Sequence, residues 1–275
     1  MAPTRQCEFL PLSKQPLVMV LCQAKFSTVG NVAEYIPAIQ DRFRKLGYPI
    51  QQQSKAKHYV LGPAGMQVSE KDRWVFLTKE GYHSVIVDAE QVVLQATAYD
   101  RFETYAARLG DAVGAFLRVT EHDRYGVLQR LGLRYVDLVR PRKELGEDFR
   151  VYVQPGLRGL DESAFPEGAL RCGFEAVGRT RLADDQHGTL VVRLHQNDQG
   201  LDLPPDLIAD APKRPERAPR GELVTLVDID HFWEGQQGPP IEADWVAERA
   251  YLLHDHIINA FHRHVITEEA RRIWA

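Results

Sequence analysis

Residues 17–27 read LVMVLCQAKFS, and this stretch decides the fold class. Its first half is apolar without interruption, which predicts a strand buried on both faces. Its second half alternates, with Cys22, Ala24 and Phe26 on the same side. We therefore expect a central strand near the start of the chain, with the other elements arranged around it.

Helical and strand patterns follow this strand in turn. Apolar residues between 32 and 46 recur at spacings of three and four, which predicts an amphipathic helix. The patterns from 50 to 98 predict several strands joined by short turns. Asp100 and Glu103 have the spacing of a capping box, so a second helix is expected to begin there. Short hairpins between strands favour an antiparallel sheet with helices on one face.

The second half of the chain repeats this style. After a strand at 127–139, further strands are predicted at 169–182, 188–195 and 222–230, followed by a long helix at roughly 242–265. The fold class expected is α+β, with antiparallel sheets packed against helices and two halves that resemble each other. We place the boundary between an N-terminal unit, residues 1–143, and a C-terminal unit, residues 144–275.

Two further expectations concern the second half. Residues 199–220 contain five prolines and many charges, so this segment is predicted to be too polar to pack and to form a mobile loop. Thr267 is expected to cap a last short helix that ends at Trp274.

Composition sets broad limits on function. The chain has 275 residues, of which 44% are hydrophobic and 26% are charged, as in ordinary globular proteins. The net charge of -4 argues against nonspecific nucleic-acid binding. Three scattered cysteines form neither a disulfide framework nor a zinc pattern. Without a signal-peptide pattern or a long apolar run, we expect a cytoplasmic protein that does not enter membranes.

Several segments together resemble one known family. They are PLVMVLCQAKF, WVFLTKEGYHSVIV, AYDRFETY, RLGLRYVDLV and the ending VDIDHFW…LLHDHIINAFHRHVITEEARRIW. The combination resembles a sporadically distributed bacterial family of about this length, whose function is not established. The resemblance covers nearly the whole chain and implies a shared fold without implying an activity. The positions most like the family are Arg134-Tyr135, Asp228-x-Asp230, Phe232, His254, Phe261 and Thr267.

Two aspartates near the end of a predicted strand are the first candidate site. Asp228 and Asp230 are two residues apart, so they share one face of the strand at about 6.8 Å, and His231 follows at once. Paired carboxylates can bind a divalent cation or divide acid and base roles. The structural interpretation is that the strand simply ends and the carboxylates point to water, and we favour it because no further ligands are visible.

An arginine and a tyrosine inside strand 127–139 are the second candidate. Leu131, Leu133, Tyr135 and Asp137 are expected on one face, and Arg134 on the other. A partly buried arginine needs a carboxylate partner, so a structural salt bridge is the favoured interpretation. An arginine that binds an anion is the alternative.

The histidines of the last long helix are the third candidate. His254, His256, His262 and His264 are clustered, but no two are four residues apart, the spacing that lets two histidines on a helix share a metal. Histidines that flank the helix and complement its dipole are the favoured interpretation. We therefore expect neither a metal nor a cofactor, and we find no catalytic nucleophile motif or phosphate-binding loop.

Three hypotheses remain open on sequence alone. The leading one is a non-enzymatic interaction or regulatory module, with a protein partner or a homodimer. The second is a small-ligand-binding protein with a pocket between sheet and helix, with Trp74, Trp233, Trp245, Arg134 and Tyr135 as candidate lining residues. The third is a metal-dependent hydrolase or nuclease that uses Asp228, Asp230 and either His231 or His254.

Overall fold

A computed structural model of the chain provides the structure. It describes residues 9, 12–62, 65–160, 162–166, 172–182, 186–208, 210, 212–213, 220–235 and 241–275, with the backbone alone for 56–62 and 65–69. The connection between the strands predicted at 169–182 and 188–195 includes residues 183–185, which lie outside the described residues. Within the described part of the chain, no helix is long and apolar enough to cross a membrane.

In the part of the chain that the structure describes, nine strands form one antiparallel sheet, in the order β2-β3-β4-β5-β1-β6-β9-β8-β7. The central strands β1 and β6 pair with each other, which joins the two predicted units into a continuous sheet. The strands are β1 (Leu17–Phe26), β2 (Ile50–Gly62), β3 (Gly65–Leu77), β4 (His83–Val87), β5 (Gln91–Ala96), β6 (Leu128–Val139), β7 (Gly173–Arg181), β8 (His187–Asn197) and β9 (Val224–Glu234).

Among the described residues, five α-helices accompany the sheet. They are α1 (Val32–Lys45), α2 (Phe102–Thr120), α3 (His122–Tyr125), α4 (Ala243–Ala260) and α5 (Glu268–Trp274). A π-helical turn, Phe261–Val265, extends α4, so the long helix predicted at the end of the chain is present. The α+β class with an antiparallel sheet is thus confirmed.

The two halves have similar connectivity around the central strands, although the first meander has four strands and follows α1, whereas the second has three. In the first half, β1 leaves the centre, β2 to β5 form a meander, and β5 returns to pair with β1 before α2 begins. In the second half, β6 leaves the centre, β7 to β9 form a meander, and β9 returns to pair with β6 before α4 begins. Consequently α2 and α4 lie side by side on the same face of the sheet and contact each other.

The main core lies between the sheet and these helices. The side chains of β1 explain why this strand is at the centre of the sheet. Val20, Cys22 and Phe26 face the helices, whereas Met19 and Leu21 belong to a second apolar cluster on the opposite face. The prediction that β1 is buried on both faces is therefore confirmed. A strand with apolar side chains on both faces must occupy the interior of a sheet that is covered on both sides.

Part of the proline-rich segment covers the opposite face of the sheet. The strap, which we define as residues 201–208, crosses this face, and its Leu203 and Leu207 are buried against the second cluster. The prediction that the segment 199–220 is too polar to pack is therefore wrong for the strap. Its two leucines are apolar anchors between prolines and charges, and the composition of the whole segment obscured them.

Helix starts were predicted with mixed success. Thr267 caps α5 as expected, because its hydroxyl accepts a hydrogen bond from the backbone N–H of Ala270 at 3.0 Å. The capping box at Asp100 and Glu103 is wrong, since α2 begins after Arg101 and has no side-chain cap. The first turn of α2 lines the pocket described next.

Candidate ligand-binding pocket

A cavity of about 300 Å³ opens between the sheet, the start of α2 and the C-terminal half of α4. Its volume is at the lower end of the range of small-molecule sites. Its aromatic and aliphatic lining includes Phe9, Leu12, Leu17, Tyr99, Phe102, Tyr135, Ile229, Ile257, Ile258 and Phe261. The polar side chains around it are Gln15, Asp100, Arg101, Glu103, Asp137, His254 and His262.

One stripe of α4 and its π-turn forms a wall of this pocket. The lining residues His254, Ile257, Ile258, Phe261 and His262 have the i, i+3, i+4, i+7, i+8 spacing of a single helix face. Two histidines that cannot share a metal thus lie along one cavity. The π-turn is itself a feature that often marks functional sites.

Two tyrosines and a histidine form a hydrogen-bonded chain in the wall. The Tyr135 hydroxyl is 2.9 Å from Nδ1 of His254 and 3.2 Å from the hydroxyl of Tyr99. The ring of Phe102 stacks on His254 with centroids 4.0 Å apart. Burial lowers the pKa of His254 to about 3 and raises that of Tyr135 well above its usual value, so both are uncharged at neutral pH. The chain can therefore exchange hydrogen bonds with a ligand without carrying charge.

Asp137 is the unusual member of the pocket. It is on the inward face of β6, is 5% exposed and lines the cavity. Among the described residues, its carboxyl group makes no hydrogen bond or ion pair. Burial, followed by the neighbouring Asp228 carboxylate, raises the pKa of Asp137 to about 8. A buried polar group without a partner destabilises a fold by about 1–3 kcal/mol, so its presence here needs an explanation.

His262 is a second polar group whose bonding capacity is not used. Its ring stacks on Phe9 with centroids 4.5 Å apart, and its buried Nδ1 has no hydrogen-bond partner in the described part of the chain. Burial, assisted by the charge of Arg271, lowers the pKa of His262. An uncharged imidazole and a raised-pKa carboxyl group thus line one apolar cavity, each with bonding capacity left over.

The candidate residues from the sequence divide between the two faces of the sheet. Tyr135 and His254 meet in the pocket between sheet and helix. His231 lies on the same face but outside the pocket, where its Nε2 is 2.7 Å from the Thr180 hydroxyl. Burial lowers the pKa of His231 to about 4, so it is a neutral residue of the core.

The tryptophans proposed as lining residues are elsewhere. Trp233 is buried on the helix-covered face and meets Trp245 edge to face, with centroids 6.1 Å apart. Trp74 is buried in the main core. None of the three lines the cavity, and among the proposed lining residues only Tyr135 does so.

Arg134, Asp228 and Asp230 are together on the opposite face. The guanidinium of Arg134 holds the Asp228 carboxylate with two hydrogen bonds of 2.7 Å, and it also binds Asp206 of the strap at 2.6 Å. Arg130 is 3.3 Å from Asp230. The predictions that the two aspartates share a face and that Arg134 has a carboxylate partner are confirmed.

These pairs bear on the metal hypothesis. A divalent cation would have to displace a guanidinium from Asp228 or Asp230, and the bidentate pair of Arg134 with Asp228 is a strong charge-assisted contact. Within the described ranges, no group of three or more His, Cys, Asp or Glu side chains could hold a metal ion. The geometry of this face is that of a structural ion-pair network.

Sequence reasoning missed the two polar groups that distinguish the pocket. Asp137 was placed on the Tyr135 face of its strand but was not considered as a site residue. The available signal was a carboxyl group on the inward face of a strand that is apolar on both sides. His262 was interpreted as one of the histidines that flank the helix and complement its dipole, although it shares a helix face with His254 and Phe261.

Comparisons with known proteins add no assignment. No family model matches the chain, and a search of curated proteins finds no match either. The functional argument therefore rests on the geometry of the pocket.

Proposed function

We propose that this protein binds a small organic molecule in the pocket between β6, β9, α2 and α4. The observation that carries the proposal is the Asp137 carboxyl group, which is buried, lines the cavity and lacks a partner among the described residues. A bound molecule would satisfy this group and turn an unfavourable burial into a recognition contact.

The composition of the pocket supports this proposal. Ligand sites in proteins are concave and mostly apolar, with a few polar groups that fix orientation. Here the apolar walls come from Ile229, Ile257 and Ile258, and the polar groups from the Tyr135–His254 pair and Asp137. Groups with strongly shifted pKa values in such a cavity are a recognised sign of a functional site.

A set of six-carbon probes tests the proposal. Hexanol, hexylamine and hexanoate share one apolar chain and differ in the head group. We expect at least one of them to bind saturably by calorimetry and to raise the melting temperature. A probe at 100 times its Kd stabilises the folded state by about 2.7 kcal/mol.

Two tryptophan variants place the binding in the pocket. Ile258→Trp fills the cavity from α4, whereas Leu252→Trp changes a half-buried position of the same helix that does not line the cavity. Binding should weaken at least about tenfold in Ile258→Trp, which corresponds to 1.4 kcal/mol, and stay unchanged in Leu252→Trp. The proposal is wrong if no probe binds the native protein, or if Ile258→Trp binds as well as the native chain.

The expectation of a protein-interaction module stays a prediction. Light scattering on the purified protein, coupled to size exclusion, would test self-association. A monomer at all concentrations would contradict the homodimer that was expected.

A further inference from the structure

The head group that this pocket selects follows from its unpaired carboxyl group and its other charges. Asp137 can gain a partner in two ways. It can stay protonated and donate a hydrogen bond to an acceptor on the ligand, or it can ionise against a cation on the ligand. The first needs an uncharged or anionic head group, and the second needs a cationic one.

The charged side chains at the pocket favour a cation. Besides Asp137, two exposed carboxylates, Asp100 and Glu103, line it, against one guanidinium, Arg101, which pairs with Asp100 at 3.5 Å. The pKa values of His254 and His262 are lowered by burial, so neither ring adds positive charge at neutral pH. Among the described side chains that line the cavity, negative charge exceeds positive charge by two when Asp137 is ionised.

The aromatic lining points the same way. Tyr99, Phe102, Tyr135 and Phe261 all line the cavity. The faces of aromatic rings attract organic cations, and more strongly when the site is desolvated. An alkylammonium ion would find both an apolar path and ring surfaces near a carboxylate.

One feature opposes a cation. The first turn of α2 is beside the pocket, and a helix N-terminus carries about half a positive elementary charge. Glu103 in that turn offsets the charge. Asp137 would contribute a whole negative charge in a buried setting, where Coulomb interactions are several times stronger than in water. The carboxylate therefore outweighs the helix end.

We propose that the ligand is a small organic amine with an apolar body, whose ammonium group pairs with the carboxylate of Asp137. This inference rests on the ligand-binding function proposed above. At pH 7 a carboxyl group with a pKa of about 8 is protonated in about nine-tenths of the molecules. Pairing with an ammonium ion converts it to the carboxylate and releases that proton to the buffer.

Calorimetry with the three six-carbon probes tests the inference. Hexylamine should bind at least about tenfold more tightly than hexanol, and hexanoate should bind least, because a buried charge pair contributes more than one neutral hydrogen bond. Titrations in buffers of different ionisation enthalpy should show release of close to one proton per hexylamine at pH 7. Hexanol should release none.

Variants separate the role of Asp137 from general effects. Asp137→Asn should lower the affinity for hexylamine at least about tenfold and change that for hexanol less than about threefold. Glu103→Gln removes a carboxylate from the rim and should lower the hexylamine affinity less than about threefold, because exposed charges are screened. Far-UV circular dichroism and the melting temperature confirm folding, and Asp137→Leu serves as a second test if the asparagine variant is unstable.

The outcomes distinguish the two proposals. If hexanol binds as tightly as hexylamine, or if hexylamine binding releases no proton or survives Asp137→Asn unchanged, the amine inference is wrong and the ligand-binding function stands. If no probe binds, or if the Ile258→Trp variant binds normally, both proposals are wrong.

Discussion

The two faces of the sheet handle buried charge in opposite ways. On the face crossed by the strap, each guanidinium and carboxylate of the central strands has a partner, as Arg134 has Asp228 and Arg130 has Asp230. On the helix-covered face, Asp137 is more deeply buried than Arg134 and has no partner among the described residues. Arg134, which is paired, and Asp137, which is not, are close to each other on the same strand, β6.

This difference teaches how a structural polar cluster can be told from a binding site. Buried ions that pair with one another are satisfied within the fold, so they contribute to stability and leave little capacity for a ligand. A buried polar group beside a cavity, with no partner, lowers stability unless something else binds it. From the sequence, the paired aspartates Asp228 and Asp230 were considered as a candidate site, whereas the unpaired Asp137 was considered an ordinary strand residue.

Breaking the ion pair should have the largest effect on stability. Asp228→Ala leaves the partly buried Arg134 with the exposed Asp206 as its remaining partner among the described residues, and we expect a loss of about 3–5 kcal/mol in the free energy of unfolding. Urea unfolding measures it. The double variant Arg134→Met/Asp228→Leu should recover most of the loss, and a loss below about 1 kcal/mol in Asp228→Ala would show that the pair is not structural.

Removing the unpaired carboxyl group of Asp137 should change the free energy of unfolding in the opposite direction to Asp228→Ala. Burial raises the pKa of Asp137 from 3.8 to about 8, so the folded state holds a proton that the unfolded state has lost between these pH values. The contribution of Asp137 to stability therefore decreases as pH rises from about 4 to 8. The Asp228 carboxylate also raises the pKa of Asp137. His254, which lines the cavity, is neutral over the whole range from pH 4 to 8.

Urea unfolding of Asp137→Asn against the native chain at pH 4 and pH 8 checks this sign. The difference in unfolding free energy should move in favour of the variant by about 2 kcal/mol or more between these pH values. A difference that is independent of pH would mean that Asp137 has an ordinary pKa and an unseen partner.

Tyr135→Phe should have a smaller effect on the helix-covered face. The variant loses the hydrogen bonds of the hydroxyl group to His254 and Tyr99 while keeping the ring, and we expect a destabilisation of about 1 kcal/mol. Thermal unfolding measures it. Tyr251→Phe is the control, because Tyr251 packs edge to face on Phe102 close to the pocket without lining it. Equal effects of the two variants would argue against a hydrogen-bonded chain in the pocket.

The strap should respond least to loss of its charge. The side chain of Asp206 is 61% exposed, and exposed ion pairs contribute about 0.2–1 kcal/mol. Asp206→Ala should therefore change the unfolding free energy by less than about 1 kcal/mol, whereas Leu203→Ala should lose about 2–5 kcal/mol because Leu203 is fully buried. If the aspartate mattered more than the leucine, the strap would be held by charge and not by its apolar anchors.

Much of the fold could be predicted from the sequence, because the local hydrophobic patterns of β1, β6 and β9 agree with the positions of these strands in the sheet. Alternation on β6 assigned Tyr135 and Arg134 to opposite faces correctly, and the apolar run of β1 marked the centre of the sheet. The strap was misjudged because two leucines decide the packing of a polar segment, and their target is formed by strands distant in sequence.

The candidate site was predicted only in part for a similar physical reason. Tyr135 and His254 were both singled out, but their contact depends on α4 crossing β6, and the two residues are 119 positions apart along the chain. Whether a carboxyl group is paired or unpaired depends on the same long-range geometry. Residue type and spacing could therefore nominate Asp228 but could not distinguish it from Asp137.

A carboxyl-carbon NMR titration of Asp137, with and without saturating hexylamine, tests the central claim most directly. The account predicts that the free protein shows this group titrating near pH 8 and that bound hexylamine lowers its pKa by at least about 1, since the ammonium group favours the carboxylate. A carboxyl group that titrates near 4 in the free protein, or that does not respond to hexylamine while the probe occupies the pocket, would contradict it.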